Sequence, residues 1–108
     1  MKELWAYDFV CDKPILGILP ALNQAGPWKW TERDKDAFGT YVSSAPFDGV
    51  RARIYSDPNS YGENGPKYTA DFKIEEECGV PRRSIEDSFR DILAALSARN
   101  VTEGEYWD

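Results

Sequence analysis

Histidine is missing from all 108 residues, and cysteine occurs only twice, at Cys11 and Cys78. The first absence removes the side chain that most readily shuttles protons near neutrality. With it go Ser–His and Cys–His nucleophile pairs and the commonest transition-metal ligand. The second rules out a disulfide-stapled scaffold, because two cysteines far apart in a chain able to build its own core read as reduced thiols. Long apolar runs are lacking too. The longest, residues 14–22, is interrupted by Pro20 and is far too short to span a bilayer. The mixed start with Lys2 and Glu3 does not read as a signal peptide, so a cytoplasmic protein is expected.

Positive charge is also scarce. Thirteen Lys and Arg against 19 Asp and Glu leave a net charge of −6, with a pI near 4.6. The only adjacent pair of cations is Arg82-Arg83. Such a field repels phosphate backbones, which argues against nucleic acid as a partner. No metal or cofactor motif is present, and none is expected to be bound.

What the chain does hold is apolar and aromatic mass, at 42% and 14% of residues. That composition belongs to a folded chain rather than a disordered one. A single globular domain over residues 1–108 is expected, burying roughly two-thirds of the surface its unfolded chain exposes.

The strongest periodicity lies in residues 84–99, where Ile85, Phe89, Ile92, Leu93 and Leu96 fall on one helical stripe. Ser84 stands as its N-cap and Asn100 as its left-handed stop. Two segments alternate as half-buried strands. In 49–56, Val50, Ala52 and Ile54 oppose Arg51, Arg53 and Tyr55; in 67–75, Tyr68, Ala70, Phe72 and Ile74 oppose Lys67, Thr69, Asp71 and Lys73. Residues 28–33 and 37–43 read as a hairpin turning at Asp34-Lys35. Residues 4–10 read as a first strand and 101–107 as a last. Residues 14–25 read as a helix that Pro20 either kinks or delays until about Leu19. The resulting order, β-α-β-β-β-β-α-β, predicts an α+β two-layer sandwich with a mainly antiparallel sheet, two helices on one face, and a ferredoxin-like plan.

Several places carry polar or aromatic groups suited to recognition. The stretch 56–66 exceeds what a hairpin needs and reads as a polar surface loop or, through Tyr61, a binding loop. Its Asp57, Asn59 and Gly62 imitate a calcium loop, but tyrosines replace ligands at the fifth and twelfth positions. Trp28 and Trp30 share one side of a strand, as a stacking platform would, or as core residues would. Arg51, Arg53 and Tyr55 form a polar face where the arginines could fork onto a carboxylate or phosphate, or pair across strands with Asp71. Tyr106 and Trp107 are candidates for exposure at the acidic end. Cys11 and Cys78 each follow a strand and precede a helix, which places them at the same end of the sheet; packed thiols are the plain reading and activated ones the alternative. Glu75, Glu76 and Glu77 read as solvated charge rather than as an acid/base pair.

No residue is assigned a catalytic role. The expected function is non-catalytic recognition of a protein partner with a basic surface, in the manner of an immunity or antitoxin protein. Acidic charge would steer the encounter, and Trp28, Trp30 or Tyr61 would anchor it. The alternative is a small-molecule binder or minor enzyme with an aromatic-lined pocket between helices and sheet or across a dimer interface. There Arg51, Arg53 or Tyr55 would supply polar contacts. A third reading is a homodimer paired through an exposed edge strand.

Overall fold

In a computed structural model, whose described backbone covers residues 3–12, 15–25, 28–35, 39–62, 65–75 and 79–104, these described residues form six strands and two helices. They run β1 (Glu3–Val10), α1 (Ile15–Ala25), β2 (Trp30–Lys35), β3 (Gly39–Phe47), β4 (Val50–Gly62), β5 (Gly65–Ile74), α2 (Arg82–Ala95) and β6 (Arg99–Gly104). The sheet order is β2-β3-β4-β5-β1-β6, every neighbouring pair antiparallel. The result is a compact α+β fold. Its sheet order is not ferredoxin-like, which corrects the plan expected above. β2 to β5 are joined by consecutive hairpins, so β3 and β4 separate β2 from β5 and push it to the far edge.

The chain reverses direction at each hairpin, so β1 runs parallel to β2 and β5 parallel to β6. Each pair is bridged by one helix, and right-handed crossovers in opposite directions place both helices on the same face. The core follows from this. Ile18 and Leu22 of α1 and Ile85, Phe89, Ile92 and Leu96 from α2 and its C-cap share one buried cluster with Trp5, Phe9, Val42, Ile54, Tyr68 and Phe72. Phe72 is the hub. It lies 4.8 Å from Phe89 edge-on, 5.3 Å from Trp5 in a stack, and 6.0 and 6.4 Å from Tyr7 and Trp28.

Several boundaries move for identifiable reasons. α1 starts at Ile15 and carries Pro20 inside it. The ring forfeits only the bond to the Leu16 carbonyl, and burial of Ile18 and Leu22 on either side offsets that loss. α2 starts two residues before Ser84, with Pro81 as a cap that makes no side-chain bond, so Ser84 lies in the first turn. The expected turn at Asp34-Lys35 is strand, pairing with Thr40 and Gly39. The Trp30 N–H donates to Asn23 Oδ1 at 2.7 Å, and Asn23 Nδ2 donates to the Trp30 carbonyl at 3.2 Å, so α1 covers one residue of the β2 edge.

The stop of α2 is at Ser97, not Asn100. Ala98 N–H bonds the Leu93 carbonyl and Ser97 N–H the Ala94 carbonyl, the Schellman pattern, with Ser97 at a φ of 55°. Asn100 is also left-handed, at 54°, and sits where β6 gains an extra residue against β1. Ser97→Gly therefore relieves strain without touching a packed side chain. Urea unfolding should show a gain of about 1 kcal/mol.

The expected loop 56–66 is instead a continuation of two strands. β4 runs on to Gly62 and β5 begins at Gly65. Between Ser56 and Tyr61 the register shifts, so residues 57–60 stand opposite Lys67 alone before Tyr61 pairs with Pro66 and Gly62 with Gly65. This bulge, together with Pro58, hides the alternation that would otherwise mark a strand. Pairing with β3 stops at Tyr55 and pairing with β1 stops at Lys67, so among the described residues the backbone at the end of the hairpin pairs only within itself.

Candidate functional site

On the face opposite the helices, register sets side chains in rows across the strands. One row aligns Ala6, Asp71, Arg53 and Ser43, with Thr31 beyond. Arg53 donates through Nε to Asp71 Oδ1 and through Nη2 to Asp71 Oδ2, both at 2.8 Å. The two-pronged geometry matches guanidinium to carboxylate. The expectation of a wet face fails at this row: Arg53 is 5% and Asp71 1% exposed, and Thr69 and Tyr55 beside them are buried too. Burial lifts the Asp71 carboxyl above its ordinary range. The hydrogen bond and charge of Arg53, the charge of Arg51 and the Tyr55 hydroxyl pull it back. Arg51, Arg53 and Tyr55, singled out as polar contacts, thus converge on one buried carboxylate. Two residues along β5, Thr69 donates to Asp8 of the adjacent β1 at 2.7 Å, and Lys67 lies 3.9 Å from the same carboxylate.

The next row holds Lys73 directly opposite Arg51, with Glu75 3.0 Å from Lys73. Toward the β2 edge a hollow of about 430 Å³ opens, lined by Lys29, Thr31, Arg33, Ser43, Ser44, Ala45 and Arg51. The alternation that turned Trp28 and Trp30 to one side did place Lys29, Thr31 and Arg33 on the other. What it lacked was the strand order that brings them beside Arg51.

Trp28 and Trp30 themselves are interior, at 4% and 2% exposure, with ring centres 6.2 Å apart. No ring face is offered to solvent, so the platform reading gives way to core packing. Tyr61 lies on the arm of β4, its side chain outside the described residues, as are the structures of Cys78, Glu76, Glu77, Tyr106 and Trp107. Asp57 and Asn59 stand in the β4 bulge rather than in a calcium loop. Cys11 is buried, a free thiol 3.5 Å from the Leu96 carbonyl. Because β1 and β5 are antiparallel, the strands that precede Cys11 and Cys78 finish at opposite ends of the sheet, not at the shared end expected.

A second cluster ties α2 to β1. Glu86 accepts from the Tyr7 hydroxyl at 2.6 Å and from Arg82 Nε at 3.1 Å, while the Arg82 guanidinium sits 4.6 Å above the Trp5 ring. Beside it is a cleft of about 310 Å³ lined by Tyr7, Glu86, Phe89, Arg90, Leu93 and Val101. Burial, then the bond to Glu86, pushes the Tyr7 phenol up to about 12. Because that lies above its unfolded value of 10.0, Tyr7 contributes stability in full below pH 10.0 and loses it as pH rises through about 12. Denaturant melts between those pH values should fall more steeply for the native chain than for Tyr7→Phe.

Among the described residues, no group of three His, Cys, Asp or Glu could hold a metal ion, and no helix is long and apolar enough to cross a membrane. No family model matches the chain, and no curated protein matches it significantly.

Proposed function

We propose that this chain is a non-catalytic binding domain that recognises a protein partner bearing a basic surface. The projecting β4–β5 arm carries the reading. Among the described residues its end pairs with neither β1 nor β3, so its backbone extends beyond the rest of the sheet. Residues 57–66 include Asp57, Tyr61 and Glu63 and no lysine or arginine. An acidic arm with a tyrosine suits a cationic partner, charge speeding encounter and the ring supplying an anchor. The described buried ion pair is spent internally, Arg53 on Asp71, which suits a rigid platform better than acid/base chemistry. An immunity- or antitoxin-like role, in the cytoplasm, is the biological form of this reading.

The test is capture on immobilised full chain from lysate of the source organism at about 0.1 M and about 1 M salt, between which the screening length falls from about 10 Å to about 3 Å. A stoichiometric basic protein, released by salt and weakly held by Tyr61→Ala, is the expected result. Capture indifferent to salt and to Tyr61 contradicts it.

The second reading, a small-ligand domain, is favoured by one observation. The Tyr7–Phe89 cleft is a hollow between helix and sheet, lined by two aromatic rings with an acid and an arginine at its wall. A saturable thermal shift with an aromatic metabolite, lost in Leu93→Trp, would favour this cleft.

A further inference from the structure

We infer that the hollow beside β2 is an oxyanion site, taking the phosphate or carboxylate group of a small molecule. The inference is independent of the protein-partner reading and concerns a different surface. The first observation is charge placement. In a chain of net charge −6, Lys29, Arg33 and Arg51 line one hollow, and Lys73 stands directly opposite Arg51 on the neighbouring strand. Like charges facing each other across strands weaken a sheet, and Glu75 beside Lys73 and Asp71 near Arg51 offset part of that repulsion.

The second observation is shape. Ala45 and Ser43, small residues of β3, lie between β2 and β4, leaving about 430 Å³ between the cations where longer side chains would fill the gap. The third is hydrogen-bonding capacity. Thr31 and Ser43 bring hydroxyls to the lining. Ser44, in register with the core residues Trp30 and Ala52, turns its side chain to the helix side and adds no hydroxyl there. Arginine and lysine around hydroxyl donors match the demands of a phosphate or carboxylate, whose oxygens accept several bonds at once. Asp71 is held by Arg53 and also feels the charge of Arg51, and Glu75 pairs with Lys73, so the cations of the hollow are not all unopposed.

The probes are inorganic phosphate and citrate, titrated separately into the labelled full chain while backbone amide resonances are followed, with sodium chloride at matched ionic strength as the third arm. Saturable shifts centred on Lys29, Thr31, Ser43, Ala45 and Arg51 are expected with phosphate or citrate and not with chloride. The tighter of the two identifies the source chemistry. Lys29 and Arg33 are both exposed, so Lys29→Glu and Arg33→Glu should each leave the fold intact and weaken binding roughly tenfold, the loss of one charge-assisted contact. Shifts that do not saturate, that chloride reproduces, or that survive both variants overturn the assignment.

Discussion

Replacing Asp71 by alanine is expected to destabilise the protein by about 3–5 kcal/mol, the usual consequence of stranding one partner of a buried ion pair. Asp71 is 1% exposed and holds both prongs of the Arg53 guanidinium at 2.8 Å. Without it a positive charge remains on the central strand with neither its carboxylate nor ready access to water. Arg53→Ala should cost a comparable amount, because it leaves a buried carboxylate that burial already disfavours. The decisive comparison is the double variant Arg53→Met with Asp71→Leu. It removes both charges while keeping volume, so its loss should fall well below the sum of the single losses. Urea unfolding of the four proteins gives the coupling directly. Additive losses would mean that the pair is exposed enough to be solvated in each single variant.

Phe72→Ala should be similarly damaging, at about 3–5 kcal/mol for truncating a fully buried phenylalanine. The ring contacts β1 through Trp5 and Tyr7, the segment leading into β2 through Trp28, and α2 through Phe89. A cavity there loosens the attachment of α2 to the sheet as well as the sheet face itself. Phe72→Leu, which retains most of the volume, should cost about 1–2 kcal/mol. Chemical denaturation measures both, and equal losses would show that ring stacking rather than volume carries the contact.

How much of this was readable in the residues depends on the range of the interaction. Periodicities of two and 3.6 marked β4, β5 and α2, since those patterns reflect which face is buried. The pairing of Arg53 with Asp71 was one of two readings open for that face, because alternation places both on one side without fixing register. End effects were harder. Ser84 looks like a cap, yet the helix begins earlier, at Arg82, with Pro81 as its N-cap, where a fixed backbone angle suits the entry. Ser97 carries no sign of a left-handed stop, a position where glycine is usual; the Schellman bonds and the burial of Leu96 hold it there. The β4 arm escaped notice because its bulge breaks alternation at residues 57–60. The hollow beside β2 depends on strand order, which local pattern does not contain. The same holds for Glu86: helix position suggests a charge near the N-terminus, and only the packing of α2 on β1 brings it to Tyr7.

The claim that the projecting arm is the recognition element is tested most directly by shortening it. Replacing residues 58–66 with an Asn-Gly turn closes Asp57 on Lys67 in the native register and leaves the described core untouched. Capture of the partner by this variant should be abolished, while its circular dichroism and denaturation midpoint stay close to those of the native chain. Undiminished capture by a folded, shortened chain would contradict the account and move recognition to another surface.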